Sequence, residues 1–288
     1  QDDVSIPFPE IDNKLIVADE KIDNMGSSIT FGKNFDNTSS VYFNFGLDIA
    51  KQHKKVTGDS DIISGSASYF KAKGNHYFSP YIYYSRPNYR RLEDYNTKGV
   101  GFNNTYVLNE KNNINYGISY SNSSYDQTNT FDAADDKNFE NYSSNIRYNF
   151  NFSPTTQLSS KLILNKIDSS KDYDSYDSEG INFSISQIIK YGTLKIQTTF
   201  LENTYDAKDT FISSTIDRKD ESLVSTISLS GQLNQIIPFA KKMNKDDSIF
   251  YSLKFKHSDI SSNILNYDVD RKFLSLGFTK RINLNEIF

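Results

Sequence analysis

The 288-residue sequence has no cysteine, no tryptophan and few apolar residues for a folded protein. Without cysteine, disulfide scaffolds, thiol catalysis and cysteine-ligated zinc or iron–sulfur sites are excluded. Hydrophobic residues make up 36% of the chain, below the roughly 45–50% that is usual in soluble domains. No uncharged apolar run approaches the roughly 18 residues that indicate a transmembrane helix. The formal net charge of −4 argues against nucleic-acid binding, which requires a basic surplus or stripe.

Aromatic residues, in contrast, are abundant, with 20 Tyr and 21 Phe making up 14% of the chain. Disordered chains are poor in aromatic and β-branched residues. The sequence therefore predicts a folded protein whose apolar residues are not arranged as in an ordinary soluble domain.

Apolar residues recur with a period of two. Between Val41 and Ile49 every odd position is apolar, and the even positions are Tyr, Asn, Gly and Asp. A helix needs apolar spacings of three and four, so this pattern predicts a β-strand with one apolar and one polar face. Further predicted strands lie at 26–31, 62–70, 77–85, 100–108, 114–120, 146–152, 159–164, 181–185, 194–200, 223–229, 249–255 and 273–282.

The predicted connections alternate between short and long. Short turns are predicted at 34–39, 71–75, 108–112, 152–155 and 190–193. Long, charged connections are predicted at 51–60, 86–95, 126–138, 167–178, 205–219 and 258–267. One turn, at 234–247, is long and contains proline. Bacterial outer-membrane barrels have this asymmetry, with short periplasmic turns and longer external loops.

The strand count supports a barrel. Thirteen predicted strands and an additional first strand at 14–18 give fourteen, an even number that places both termini in the periplasm. Only helices and closed barrels pair every backbone group in lipid. We therefore predict an all-β, transmembrane antiparallel β-barrel of the bacterial outer membrane at 14–288, preceded by a periplasmic arm or linker at 1–13. A soluble β-sandwich or propeller, whose strands also alternate, is the alternative.

The carboxy-terminal part of the chain resembles a known barrel. Three of its segments carry the resemblance: 250–255 (FYSLKF), 261–271 (SSNILNYDVDR) and 274–281 (LSLGFTKR). They resemble the end of the barrel domain of the surface lipoprotein assembly modifier (Slam) family. The Arg218-Lys219-Asp220 segment is similar to a basic-acidic loop of that family. The closing aromatic of the family falls at Ile282, and this chain runs six residues further.

The resemblance implies a fourteen-stranded barrel, not an enzyme, that moves lipoproteins or related secreted substrates to the cell surface. Its expected partners are outer-membrane lipids, the transported lipoprotein, and a periplasmic chaperone or repeat domain. The family usually carries an amino-terminal tetratricopeptide-repeat domain, and no helical 34-residue repeat occurs in this sequence. A passive porin for small solutes is the alternative function, with 126–138 or 205–219 as a constriction loop.

Candidate metal and catalytic residues are few. The segment from Asp172 to Gly180 has carboxylates at spacings that partly match a calcium loop, and a solvated external loop is the simpler interpretation. The acidic run at 132–136 is weaker still. The histidines, His53, His76 and His257, are scattered. We therefore predict no metal site and no cofactor.

Three other groups of residues are candidates for function. His257-Ser258-Asp259 is the only local grouping that suggests a hydrolase, and a polar strand end explains it, so no catalytic residue is predicted. A basic and aromatic group surrounds one external loop, and we interpret it as an interfacial belt or a contact for anionic sugars or substrate. This group comprises Tyr83, Tyr84, Arg86, Tyr89, Arg90, Arg91, Tyr95 and Lys98. Lys241 and Lys242 are candidates for docking a periplasmic partner.

Overall fold

The structure is a computed structural model. It describes residues 22–52, 60–89, 95–125, 138–208, 215–233, 249–264 and 267–280. Across these ranges the chain contains no α-helix, and the short helical segment Asp172–Asp174 is a 3-10 turn. None of the helical structure described is long and apolar enough to cross a membrane.

The described residues form thirteen β-strands, which confirms the all-β prediction. Their bounds are β1 Ile22–Asp36, β2 Ser39–Gln52, β3 Ser60–Lys73, β4 His76–Tyr89, β5 Tyr95–Asn109, β6 Asn112–Tyr125, β7 Phe139–Ser153, β8 Thr156–Ser169, β9 Tyr176–Ile189, β10 Gly192–Tyr205, β11 Lys219–Gln232, β12 Ile249–Ser262 and β13 Val269–Lys280. All thirteen belong to one sheet in sequence order, from β1 to β13. Every pairing is antiparallel between strands that are consecutive in the chain.

The predicted alternation of connections is confirmed. Five hairpins turn in two residues, at 37–38, 74–75, 110–111, 154–155 and 190–191. Gly74 supplies the positive φ, 59°, in the second of these turns. The longer connections lie at the opposite end of the sheet, which we call the loop end. The long connection between β11 and β12 lies at the turn end and falls largely outside the described residues.

Several boundaries differ from the predictions. The strands have 12 to 15 residues, more than the roughly 9–11 expected for a tilted crossing, because pairing continues past the apolar stretch into polar residues. The connection predicted at 167–178 shortens to 170–175, so Asp177, Glu179 and Gly180 belong to β9. The predicted arm at 1–13, the strand at 14–18 and the last eight residues lie outside the described ranges. Within the described ranges no pairing joins β1 to β13.

The two faces of the sheet differ sharply. We define the inner wall as the even-numbered residues of β1–β3, β9, β11 and β12 and the odd-numbered residues of β4–β8, β10 and β13; these positions follow from the register. The opposite face is the apolar face. It exposes large side chains, with Leu274 69% and Phe152 67% accessible, whereas Asn182 and Thr226 on the inner wall are buried. When a sheet curves toward one face, the side chains on that face are crowded together, and the inner wall shows this crowding.

The distribution of apolar residues excludes a soluble sandwich, whose core forms between two packed sheets. In the part of the chain that the structure describes, the only buried hydrophobic residues are Tyr251 and Ile264. The apolar face instead points outward along thirteen strands, which is the arrangement of a barrel wall in lipid. The soluble alternative is therefore wrong, and the transmembrane β-barrel prediction is confirmed.

Candidate functional site

The inner wall is lined mainly by hydroxyl and amide side chains that bond across strands. Asn149 donates to Asn113 Oδ1 at 2.7 Å and also to Asn115. Asn115 in turn donates to Thr105 Oγ1 at 2.5 Å. Asn182 donates to Thr199 Oγ1 at 2.6 Å. These bonds satisfy polar groups that would otherwise face water or a solute, so this region of the wall has a fixed polar surface.

Tyrosines cover glycines on the inner wall. Tyr81 lies over Gly101, Tyr83 lies over Gly99, and the two rings stack with centroids 6.2 Å apart. A Cβ atom on either glycine would overlap the ring above it. Because glycine has no side chain, each tyrosine ring can lie flat on the neighbouring strand. Such ring-on-glycine contacts help to fix the register between the two strands. This position corrects the interpretation of Tyr83, which does not belong to a lipid-facing belt.

From β5 to β10 the inner wall carries three cations, Arg147 in β7, Lys161 in β8 and Lys195 in β10. Three further cations, Lys254, Lys256 and Arg271, occupy inner-wall positions of β12 and β13. Arg147 and Lys161 are direct register partners, and the charge of Arg147 acts on Lys161 and Lys195. The side chains of these three residues are half-buried. Sequence reasoning missed them, although Arg147 and Lys195 lie at polar positions between apolar neighbours of predicted strands, which is the signal that could have found these two. Lys161 follows two serines and has no such signal.

A second group of side chains lies at the loop end of β9–β13. We call Tyr176, Tyr205, Arg218, Asp220 and Tyr267 the loop-end cluster. The guanidinium of Arg218 donates to both carboxylate oxygens of Asp220, at 3.0 and 2.5 Å. It also lies over the rings of Tyr205 and Tyr267, 4.3 and 3.3 Å from their centroids. Tyr176 packs against Tyr205 with centroids 5.0 Å apart, so the cation is enclosed by aromatic rings.

The electrostatics of the loop-end cluster favour the ion pair. Burial lowers the pKa of Arg218, but its hydrogen bonds and charge interaction with Asp220, together with Tyr205, outweigh burial and leave its pKa raised. Asp220 is only 3% exposed. Tyr205 donates its hydroxyl to Asp220 at 3.2 Å. The buried carboxylate therefore has both a charge partner and a neutral donor.

The loop-end cluster joins two segments that are distant in sequence. Lys219 N donates to Asn263 Oδ1 at 2.8 Å, and Asn263 Nδ2 donates to the carbonyl of Asp217 at 2.8 Å. Tyr267, from the same connection as Asn263, covers Arg218. Residues 217–220 therefore form one contact region with Ser262, Asn263 and Tyr267, and this region joins the loop ends of β11 and β12.

The carboxylates of the predicted calcium segment are divided between different elements. Asp172 and Asp174 lie in the 3-10 turn, and Asp177 and Glu179 lie on the apolar face of β9. Ser175, which is buried, organises the turn by accepting a hydrogen bond from Ser169 N at 2.9 Å. Throughout the described ranges no group of three or more His, Asp or Glu residues is arranged to hold a metal. The acidic run at 132–136 lies outside the described residues.

The histidines do not form a common site. His76 stacks on Phe78 and Tyr106, with centroids 5.5 and 4.6 Å away, and lies 3.3 Å from the amide of Asn104. His257 pairs with Asp270 at 2.8 Å on the apolar face of β12 and β13. Ser258 lies on the opposite face of β12, because adjacent residues in a strand alternate, so the structure does not bring it together with His257. His53 lies outside the described residues.

The predicted basic and aromatic group divides between the two faces. Tyr84 and Lys98 are register partners on the apolar face, which Arg86 shares. Tyr83 belongs to the inner wall. Arg90, Arg91, Lys241 and Lys242 lie outside the described residues. Of the predicted group, Arg86 and Lys98 therefore supply charge on the apolar face at the loop end, next to Tyr84.

The apolar face contains a shallow groove of about 810 Å³ across β4–β9. Ser144, a small residue, lies between Ile118 and Leu164 along its floor, and Lys166 and Asp177 border its loop end. Because these side chains belong to the apolar face, the groove opens outward and is not a passage through the wall.

No protein-family model and no curated protein matches the chain. Among solved structures, the chain is similar to OmpT, an outer membrane protein of Vibrio cholerae (5% identity, 91% of this chain and 94% of that chain, TM-score 0.42). It is also similar to BamA from Haemophilus ducreyi lacking POTRA domains 1–3 (10% identity, 91% and 70%, TM-score 0.40). A third similar structure is OccK5 of Pseudomonas aeruginosa (7% identity, 91% and 96%, TM-score 0.40).

The cellular location follows from the sheet itself. Its thirteen antiparallel strands alternate exposed apolar side chains with a polar inner wall. Antiparallel barrels with an apolar outside and a polar inside are the architecture of the bacterial outer membrane. The protein is therefore an outer-membrane β-barrel protein.

Proposed function

We propose that the chain is the barrel of a translocator that moves lipoproteins, or related secreted polypeptides, to the bacterial cell surface. One observation carries the proposal. The segments whose sequences resemble the Slam family, Arg218-Lys219-Asp220 and 261–271, meet in one contact region at the loop end. A sequence resemblance whose parts also contact each other is stronger than a resemblance of isolated strands.

The proposed mechanism involves transport and no covalent step, so we propose that the protein is not an enzyme. A polypeptide in transit must keep its backbone groups hydrogen-bonded, because an unpaired buried group is costly. The amide and hydroxyl side chains of the inner wall supply hydrogen-bond donors and acceptors that can exchange along that backbone. The loop-end cluster stabilises the connections at the exit. The partners in this mechanism are the transported lipoprotein, outer-membrane lipids, and a periplasmic chaperone or repeat domain.

Protease shaving of intact cells tests the translocator. Cells with and without the gene are treated with an external protease, and the released peptides are identified by mass spectrometry. We expect lipoprotein peptides to disappear from the shaved fraction of the deletion strain while total lipoprotein abundance stays unchanged. Complementation with the wild-type gene should restore them. An identical set of surface lipoproteins in both strains would contradict the proposal.

A small-solute channel is the second candidate, favoured by the polar lining of the inner wall. Hydroxyl and amide groups together with Arg147, Lys161 and Lys195 suit a water-filled passage. The purified protein in a planar bilayer distinguishes the two functions. A channel conducts ions in unitary steps on its own, whereas a translocator without substrate should conduct poorly. Steady conductance combined with unchanged surface lipoproteins would favour the channel.

A further inference from the structure

Three cations, Arg147, Lys161 and Lys195, occupy the inner wall between β7 and β10. Arg147 and Lys161 face each other directly across β7 and β8, and directly opposed like charges destabilise a sheet. Lys195 lies on β10, opposite Ser186 of β9, and it is repelled electrostatically by the same guanidinium. Concentrated positive charge at half-buried positions has a free-energy cost that a specific counter-charge would remove.

The inner wall supplies no such counter-charge near these residues. From β5 to β10, strands that the structure describes in full, no Asp or Glu occupies an inner-wall position. Asp220 is the acid that follows on β11, and it is bound to Arg218 at the loop end. Within the described residues, Arg147, Lys161 and Lys195 have no ion pair and no hydrogen bond.

Neutral neighbours do not replace the missing acid. Asn115, the register partner of Arg147 on β6, already accepts a hydrogen bond from Asn149 and donates one to Thr105. The Nε of Arg147 is buried and has no hydrogen-bond partner. A buried unsatisfied donor is rare in folded proteins, and one that belongs to a charged group is costly to leave unpaired.

We propose that Arg147, Lys161 and Lys195 form an oxyanion-binding site on the inner wall, which takes a small phosphate, sulfate or carboxylate solute. The guanidinium fork can bond two oxygens of one such group, and the two lysines contribute point charges with rotatable donors. Lipid headgroups are excluded as the ligand because the site lies on the face opposite to the lipid. The inference goes beyond the proposed translocation and holds whether or not lipoproteins pass through the barrel.

Phosphate binding by the full chain in detergent micelles tests the site. Inorganic phosphate is titrated by isothermal calorimetry at constant ionic strength against the wild type, Arg147→Gln, Lys161→Gln and Lys195→Gln. Each glutamine keeps a long polar side chain and removes one charge. We expect saturable binding by the wild type and at least roughly tenfold weaker binding by each variant, since each variant removes one charge-assisted hydrogen bond to the anion.

Lys166→Gln is the matched control, because Lys166 belongs to the same strand as Lys161 but to the apolar face. It should bind phosphate like the wild type. Heat-dependent migration in gel electrophoresis verifies that each variant is folded, and Lys195→Gln on β10 keeps the test independent of a folding defect at the β7–β8 pair. No saturable binding by the wild type, or equal weakening by Lys166→Gln, would overturn the inference.

Discussion

At the scale of single residues, Arg218 is the position where one side chain supports most contacts. It neutralises the carboxylate of Asp220, which is 3% exposed, and its guanidinium lies over two tyrosine rings. Removing one member of a buried ion pair leaves the other charged and unpaired, and this costs more than the pair contributes to stability. The loop-end cluster should therefore depend on this side chain more than on any exposed salt bridge.

Arg218→Ala should lower the free energy of unfolding by about 3 kcal/mol, because it leaves Asp220 buried and unpaired. Lys219→Ala is the matched control. Lys219 lies 3.6 Å from Glu202 and both side chains are more than half exposed, so its loss should cost about 1 kcal/mol or less. Urea titration of the protein folded in lipid vesicles measures both values. Equal losses for the two variants would contradict a structural role of the cluster.

The glycines beneath tyrosines make a second residue-scale prediction. Gly101→Ala introduces a Cβ that overlaps the ring of Tyr81 and should destabilise the protein by about 1–3 kcal/mol, as overpacking does. Gly277→Ala, also on the inner wall, meets nothing closer than Ser252 Oγ at 3.6 Å, so its stability should be unchanged. Thermal unfolding followed by circular dichroism compares them. The same melting temperature in both variants would show that the ring does not rest on the glycine.

Sequence alone predicts some of these residues and not others. Arg147 and Lys195 occupy polar positions of strands with clear alternation, so the period of two is sufficient to place them on the inner wall. Lys161 precedes three consecutive apolar residues, and its face follows only from the pairing of β7 with β8. Which of these cations lie near each other, however, depends on which strands pair and in which register. The contact of Arg218 with Tyr267 joins residues far apart in sequence, and no local pattern specifies the path of the connection between β12 and β13 that brings them together.

At the scale of elements, the alternation of apolar residues predicts where strands are but not where they end. The β8 pattern ends at Leu164, whereas the strand continues to Ser169. Residues beyond the apolar stretch still pair their backbone groups with β7 and β9, and backbone pairing requires no particular side chain. The polar ends of strands thus resemble loops in sequence, which explains why the predicted connection at 167–178 was too long.

The assignment of β8 side chains to the two faces of the sheet gives a prediction at this scale. Leu162 lies on the apolar face and is 53% exposed, and Asn165 belongs to the inner wall of the same strand. Leu162→Arg should destabilise the membrane-inserted barrel by about 2–4 kcal/mol, since a cation then faces lipid. Asn165→Arg places the same side chain in a polar setting and loses only the hydrogen bond that Asn165 Oδ1 accepts from Ser143 Oγ at 2.6 Å, so it should cost about 1 kcal/mol. Folding into vesicles across a urea series measures the difference, and a larger cost for Asn165→Arg would reverse the assignment of faces.

At the scale of the whole molecule, the asymmetry of the two ends fixes orientation in the membrane. The five two-residue turns belong to one end, and the connection at 126–138 belongs to the other. Short turns face the periplasm in bacterial barrels. The molecule therefore places the loop-end cluster on the outer side of the membrane, where Arg218, whose side chain is 16% exposed, joins the connections at that end.

A protease site inserted into the 126–138 connection should be cleaved on intact cells, because that connection faces the outside. The same site inserted between Pro154 and Thr155 in the β7–β8 turn should be cleaved only after the outer membrane is made permeable. Immunoblotting for the two fragments measures cleavage. The uninserted protein serves as the control for native protease sites, and cleavage of the Pro154–Thr155 insertion on intact cells would contradict this orientation.

The sequence-ordered sheet also has a consequence for folding and evolution. Among the described residues each strand pairs only with the strands before and after it, so the chain can assemble as a series of hairpins, and each new hairpin docks on an edge that already exists. Each two-residue turn closes a short loop, so the entropic cost of closing that loop is small. Duplication or loss of one hairpin leaves all remaining pairings intact. The circumference of such a wall can therefore change by two strands in a single genetic event.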